Sequence, residues 1–453
     1  MSRRLRIGPL LFLTLLTSAC VNRATSRTEK ENADGQSAEA SAATAAEVAR
    51  LALRSDSSGI ARKIRRACSD PGTRSECYES QLVPIASKGN VKVAMGGLGQ
   101  LAVLDPDVRT NGHQYAHAIG IAAGKNTGDV AAAFTQCSES FQSGCYHGVI
   151  QSWFARLDSI GVSEANDLCQ PFRASEGLRW IRFQCVHGMG HGLTMLYQHD
   201  LAAGLGGCDL LGDQWDRHAC YGGAFMENIV NVSNPHHPAN ALARDRSTGA
   251  AASSEHSGHD MSGADHDSAA VRFKAVDPSN QQYPCSIMAE RYLNACYEMQ
   301  TSVMLHNNGG DLAGAALACK SAPQAMRTVC FKSLGRDISS YSQQNHSEAI
   351  RMCSLVELRH QPWCYYGVVK NLVDLNARSQ DGVAFCGAIR GEANKQVCYE
   401  AVGEQIHVLA AAVPDRQRMC AASEPRYVEA CLYGSRVVLE PPYELVRVWK
   451  SIE

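Results

Sequence analysis

Eighteen cysteines in nine close pairs constrain this chain more than any other feature. They fall as Cys68 with Cys77, Cys137 with Cys145, Cys169 with Cys185, Cys208 with Cys220, Cys285 with Cys296, Cys319 with Cys330, Cys353 with Cys364, Cys386 with Cys398, and Cys420 with Cys431. The last five second cysteines, Cys296, Cys330, Cys364, Cys398 and Cys431, step by 34, 34, 34 and 33 residues. A fixed step of this size marks stacked units, each too small to bury its apolar face alone. The segments that follow share a shape, as in CYHGVI at Cys145, CVHGMGHG at Cys185, CYGGAFME at Cys220 and CYYGVVKN at Cys364. An aromatic or apolar residue follows the cysteine, and glycine recurs three places after it. Apolar spacing is helical, with no sustained strand alternation. The expectation is an all-α solenoid of about ten helical hairpins, each mostly closed by one local disulfide between the two cysteines of a pair. Nine units carry cysteines. The tenth is the stretch NGHQYAHAIG from Asn111, halfway across the double step from Cys77 to Cys145. Asp311, Ser347 and Asp381 stand where helix N-caps are expected.

The 34-residue period equals that of tetratricopeptide repeats. With its paired cysteines the array resembles their cysteine-stapled, Sel1-like secreted cousins. That resemblance implies a superhelical architecture and carries no family function.

A nineteenth cysteine, Cys20, has no partner in the ladder. Before it lie Arg3, Arg4 and Arg6, then an apolar run from Ile7 to Leu16, then Thr17-Ser18-Ala19. A charged start, a short apolar run and small residues read as a signal peptide over residues 1–19. The segment resembles the lipobox of bacterial lipoproteins, with Thr17 where leucine is usual. The resemblance implies cleavage before Cys20 and a lipid on its sulfur. An even remainder of cysteines fits an oxidising compartment. Val21 is not an aspartate that would hold a lipoprotein in the inner membrane. The expected location is therefore the cell envelope, on the outer membrane or cell surface. Residues 20–45 read as a polar tether, 46–230 as N-terminal repeats, 231–284 as a disordered insertion and 285–453 as C-terminal repeats.

The formal net charge is -2 with mixed signs throughout, so no basic stripe points to nucleic acid. There is no phosphate-binding loop, so no nucleotide is expected. The absence of C-x-x-C-H removes covalent haem, while haem held between histidine pairs stays open. The insertion contains HSGHDMSGADH, with His256, His259, Met261 and His266 as candidates for weak metal capture. It resembles the His/Met-rich stretches of periplasmic copper-resistance proteins, though with one methionine.

A sharper pattern lies in three consecutive units. His113, His147 and His187 fall two places after the anchor position, and His117 and His191 fall six places after it. On a helix these places share a face, and in a solenoid neighbouring units stack them. Five imidazoles are thus expected on one patch, with Glu227 as a carboxylate ligand or base and Met226 and Asn228 as weaker candidates. His187-Gly-Met-Gly-His191 lacks the glutamate of H-E-x-x-H zinc peptidases. Gly188, Gly190 and Gly192 imply that a backbone or a ligand comes close. The first functional reading is a lipid-anchored metalloprotein for copper or zinc. The alternatives are a scaffold for an envelope protein or peptide, with structural histidines, and a metal-dependent enzyme.

Overall fold

The computed structural model describes residues 44, 47–173, 179–233 and 274–452. Residues 1–19, expected as a signal peptide, Cys20, nearly all of the stretch expected as a tether and the insertion histidines lie outside the described residues. Among the described residues every regular element is helical, and no helix is long and apolar enough to cross a membrane.

Ten hairpin units follow one another. The first five pair α1 (Ser57–Ala67) with α2 (Arg74–Ser87), α3 (Val91–Leu104) with α4 (Pro106–Thr127), α5 (Val130–Phe134) with α6 (Gly144–Phe154), α7 (Val162–Asp167) with α8 (Arg179–Leu196), and α9 (Leu201–Asp209) with α10 (Gln214–Ser233). The sixth has a single turn of 3-10 helix, Cys285–Ile287, before α11 (Glu290–Asn307). The last four pair α12 (Leu312–Lys320) with α13 (Arg327–Tyr341), α14 (His346–Cys353) with α15 (Gln361–Asn376), α16 (Ser379–Ala388) with α17 (Glu392–Leu409), and α18 (Val413–Cys420) with α19 (Val428–Gly434). A final helix, α20 (Tyr443–Ile452), packs on α17.

All nine cysteine pairs form disulfides within their own hairpin, with Cα atoms 5.4–5.9 Å apart. Each ties the end of the short first helix, or the turn after it, to the early part of the second. In the later units Cys330 of α13 is bonded to Cys319 of α12, and Cys398 of α17 is bonded to Cys386 of α16. Closing loops this short stabilises by about 2–4 kcal/mol each, chiefly through the unfolded chain. The cysteine-free unit holds without a staple because Asp105 caps α4 and accepts a 2.7 Å hydrogen bond from the buried Tyr78 hydroxyl.

Second helices pack on one another in order along the array, and glycine sets how closely. A Cβ on Gly148 would stand 2.1 Å from the His117 carbonyl, and one on Gly120 2.0 Å from the Cys145 carbonyl. The same reciprocal crossing recurs at Gly190/Gly223, Gly335/Gly367 and Gly403/Gly434. The units therefore join in twos, α4 with α6, α8 with α10, α13 with α15 and α17 with α19. The recurring glycine of the sequence is a backbone-to-backbone contact.

The array curls far enough to meet itself. Helix α17 touches α8. Before α6, Gln142 donates its backbone N–H to the Leu375 carbonyl (3.4 Å) and its side-chain amide to Asn371 Oδ1 (2.5 Å), both on α15.

Three local expectations change. Asp311 caps α12 as expected, but Asn345 and not Ser347 caps α14, and Asp381 lies inside the first turn of α16. The helical pattern runs to Ser233, beyond the expected boundary at 231. Residues 274–284, expected to be disordered, pack back onto the repeats. Asn228 donates to the Ala275 carbonyl (2.9 Å), and Gln300 donates to the carbonyls of Gln281 and Tyr283 (2.8 Å each). This segment fills the place of the missing first helix of unit six.

At the other end, Trp449 of α20 donates its indole N–H to Glu400 Oε2 at 3.3 Å. Burial pushes the Glu400 carboxyl up to about 7. A raised carboxyl stabilises fully below its unfolded value of 4.5, and that contribution is lost as pH rises through 7. Glu400→Gln keeps the acceptor and removes the charge. Its melting temperature should rise relative to wild type from pH 4.5 to 7 and then level off. A constant difference across that window in parallel thermal melts would contradict the buried carboxyl.

Candidate metal centre

Helices α4, α6 and α8 present the five histidines as one group. Ring centroids lie 4.5 Å apart for His113/His117, 5.4 Å for His117/His147 and for His117/His191, 5.1 Å for His147/His191 and 5.0 Å for His147/His187. Two triads, His113/His117/His147 and His147/His187/His191, each offer ligand nitrogens within 4.8 Å of one another. Imidazoles around a tetrahedral zinc stand about 3.3 Å apart, so a triad closes on an ion by shifts on the order of 1 Å. His117 and His191 are each 1 % exposed, His147 3 % and His187 8 %, and His113 is half-buried. The group is sealed on the His117/His191 side and approaches solvent at His113 and His187.

Behind the rings stand oxygen acceptors. His113 Nδ1 meets the Phe141 carbonyl at 2.8 Å, and His117 Nδ1 meets Gln151 Oε1 at 3.0 Å. His147 Nε2 meets Gln184 Oε1 at 3.1 Å, and His191 Nδ1 meets Glu227 Oε2 at 2.8 Å. Each acceptor assigns the proton to the ring nitrogen that faces it. A neutral imidazole then carries its lone pair on the opposite nitrogen. This is the outer support that metal-ligating histidines ordinarily have. On His147 the result is plain: Nδ1 is buried and makes no hydrogen bond. An orphaned buried acceptor costs about 1–3 kcal/mol, which coordination would recover.

Electrostatics hold the rings neutral. Burial pushes His147 and His187 well below the usual imidazole range, and neighbouring imidazoles push them further. Neutral nitrogen is the ligand form, so protons compete weakly with a cation here. The turn before α6 adds geometric constraint. Phe141, Gln142 and Ser143 all have left-handed φ (59°, 53° and 62°), unusual for three consecutive non-glycine residues. The bonds from His113 to Phe141 and from Gln142 to α15 hold that turn in place.

Glu227 stands behind His191, where it also accepts from Gln151 Nε2 (3.4 Å), and belongs to neither triad. Its place is that of a supporting carboxylate. Met226 is half-buried against the apolar core, and the Asn228 amide is bound to Ala275. Gly188, Gly190 and Gly192 face Ile150, the Cys220 carbonyl and Phe154, so their spacing serves helix packing. Sequence reasoning missed Gln151, Gln184 and Phe141. Gln151 had a signal, because it fills the sixth place after Cys145, where the flanking units have histidine. Of the unpatterned histidines, His218 reaches Glu298 (3.4 Å) and His199 lies 4.0 Å from Glu227. His360 stacks on Phe331. His256, His259, Met261 and His266 lie outside the described residues. Compared with known protein families, curated proteins and solved structures, the chain matches none of them.

Proposed function

We propose that this chain is an exported envelope lipoprotein that binds one transition-metal ion at the five-histidine group. The observation that carries this reading is the ring of oxygen acceptors behind His113, His117, His147 and His191. Packing histidines need a hydrogen bond, but they need not gather into triads whose ring nitrogens lie within 4.8 Å of one another. The donor set is all imidazole. Every described cysteine is in a disulfide, so thiolate is not on offer. Imidazole donors of this kind suit zinc or copper(II). The histidines of the insertion are read as a weaker capture site feeding the buried one. The anchor is read as lipid on Cys20.

Protein purified without a histidine tag and dialysed exhaustively should retain about one equivalent of zinc or copper. Deleting residues 253–267 should slow loading and leave the tight equivalent intact. Protein that takes up no metal from micromolar zinc or copper would transfer the weight to the scaffold reading. For the anchor, Cys20→Ala should move the protein from the membrane fraction to the soluble fraction. Unchanged membrane association would overturn that part.

A second reading, a metal-dependent enzyme, is favoured by the half-buried His113, which leaves one side of the group near solvent.

A further inference from the structure

The first end of the array is basic, although the chain as a whole carries a net charge of -2. Residues 47–104 hold nine lysines and arginines against five acids. Three of those acids are already engaged. Glu47 pairs with Arg50, Asp56 caps α1 by accepting from the Gly59 N–H, and Asp70 accepts from the Gly72 N–H and the Thr73 hydroxyl. Helix α1 itself has four bases and no acid. Ile60, Ala61 and Ile64 bury one side of it, and it packs on α3. Arg62 and Arg66 lie one turn apart on the opposite side, with Lys63 beside them. Only Arg65 turns to a carboxylate, that of Asp105 at 3.4 Å. The side chains of Arg54, Arg62, Lys63, Arg66, Lys88 and Lys92 make neither an ion pair nor a hydrogen bond with any described residue.

Solvation alone accounts for exposed bases. It does not account for the apolar group among them. Residues 47–53 form a helical segment just before α1, and its Leu53 is 83 % exposed next to Arg54. With Val48, Ala52, Pro84 and Ile85, Leu53 lines a cavity of about 300 Å³, and Lys88 stands in the same wall. Unpaired bases beside an exposed leucine and an apolar hollow match a bilayer interface. Anionic headgroups answer the bases there, and the acyl boundary takes up the leucine. A nucleic acid strand would answer the charges and leave Leu53 in water.

We propose that this end of the array docks on the surface of an anionic lipid bilayer. Arg54, Arg62, Lys63, Arg66, Lys88 and Lys92 meet the headgroups, and Leu53 enters the apolar boundary. Position in the chain favours the same partner. Residues 20–46 join Cys20 directly to this unit, so a lipid on Cys20 holds this end of the array next to a bilayer. That argument rests on the lipoprotein reading, whereas the charges and Leu53 stand without it. A tether raises the local concentration of the surface, so a weak contact suffices to orient the array. Without the tether the same contact is largely screened at physiological salt, and the unlipidated chain fractionates as a soluble protein.

The test uses the full mature chain with Cys20→Ala, which carries no lipid. It is floated with vesicles of phosphatidylcholine alone or with about one third phosphatidylglycerol. At low ionic strength it should bind the anionic vesicles about tenfold tighter or more, and about 0.5 M salt should abolish the difference. The combined variant Arg62→Gln/Lys63→Gln/Arg66→Gln should lose about tenfold or more of that binding. Leu53→Ser should lose several-fold. Both should melt close to the parent, because these side chains lie at the surface. Arg351→Gln/Arg359→Gln/Arg418→Gln, three exposed bases of later units, should bind like the parent. Equal binding to neutral vesicles, no binding to anionic vesicles at low salt, or a first-unit variant that binds like its parent would overturn the proposal. Binding to duplex DNA without binding to vesicles would also overturn it and make the partner a nucleic acid. Wild type held in membranes while the unlipidated chain ignores vesicles would keep the anchor and refute the docking face. Vesicle binding by the unlipidated chain, with wild type found soluble at physiological salt, would keep the face and refute the anchor.

Discussion

Replacing His147 or His191 with alanine is expected to abolish tight metal binding while the protein stays folded. His147 belongs to both triads, and His191 is the ring held by Glu227. Removing one imidazole from a site of three or four ligands should lower affinity by several orders of magnitude. The cost to stability is that of a buried polar substitution, about 1–3 kcal/mol, against nine disulfides that remain. Glu227→Gln should weaken binding about 10- to 100-fold, as losing an outer partner of a ligand does. His346→Ala, on α14 and edge-on to Phe385, should leave metal affinity unchanged. Calorimetric titration with zinc and copper(II), beside a thermal melt of each variant, separates the outcomes. A destabilised His147→Ala that binds metal like wild type would make these histidines packing residues.

Adding one methyl group at Gly367 is expected to be among the most damaging changes in the chain. Its Cβ would lie 1.8 Å from the Lys332 carbonyl oxygen and 2.8 Å from the Arg336 nitrogen. Both obstacles are helix backbone, so no side-chain rotation relieves the clash, and α13 and α15 must separate. The loss should be about 3 kcal/mol or more, at the upper end of overpacking. Gly206→Ala is the control. It lies in α9, where a Cβ meets nothing within 4 Å, and alanine there should gain up to about 1 kcal/mol through helix propensity. Denaturant unfolding under oxidising conditions reads both. A Gly367→Ala variant as stable as wild type would contradict the close crossing.

Much of this was legible because disulfides and repeats leave regular traces. The cysteine spacing pointed to the hairpins and their nine bonds, since a bond across 8 to 16 residues can only join adjacent elements. Histidines at a shared phase on successive helices had to converge, and they do. What escaped depends on contacts between residues far apart in sequence. Phe141 supports His113 through its carbonyl, which no residue type announces. Gln184 was invisible because it precedes its cysteine and lies outside the register. The pairing of units needed both glycine phases, three places after the anchor cysteine in one helix (Gly148, Gly223, Gly367, Gly434) and five places after it in its neighbour (Gly190, Gly335, Gly403), and only the first stood out. The contact between α15 and the turn before α6 arises from curvature accumulated over several units. Glu227, expected as a carboxylate ligand or base, stands beside His191 Nδ1, a placement the sequence could not give because it fixes the helix face but not which side of a ring the carboxylate meets.

The most direct test of the metal centre is X-ray absorption at the metal edge of the loaded, tag-free protein. Three to five nitrogen or oxygen neighbours at about 2.0 Å are expected, with the outer-shell scattering of several imidazoles and no sulfur. A first shell of sulfur, or oxygen neighbours without imidazole scattering, would contradict a histidine-built centre.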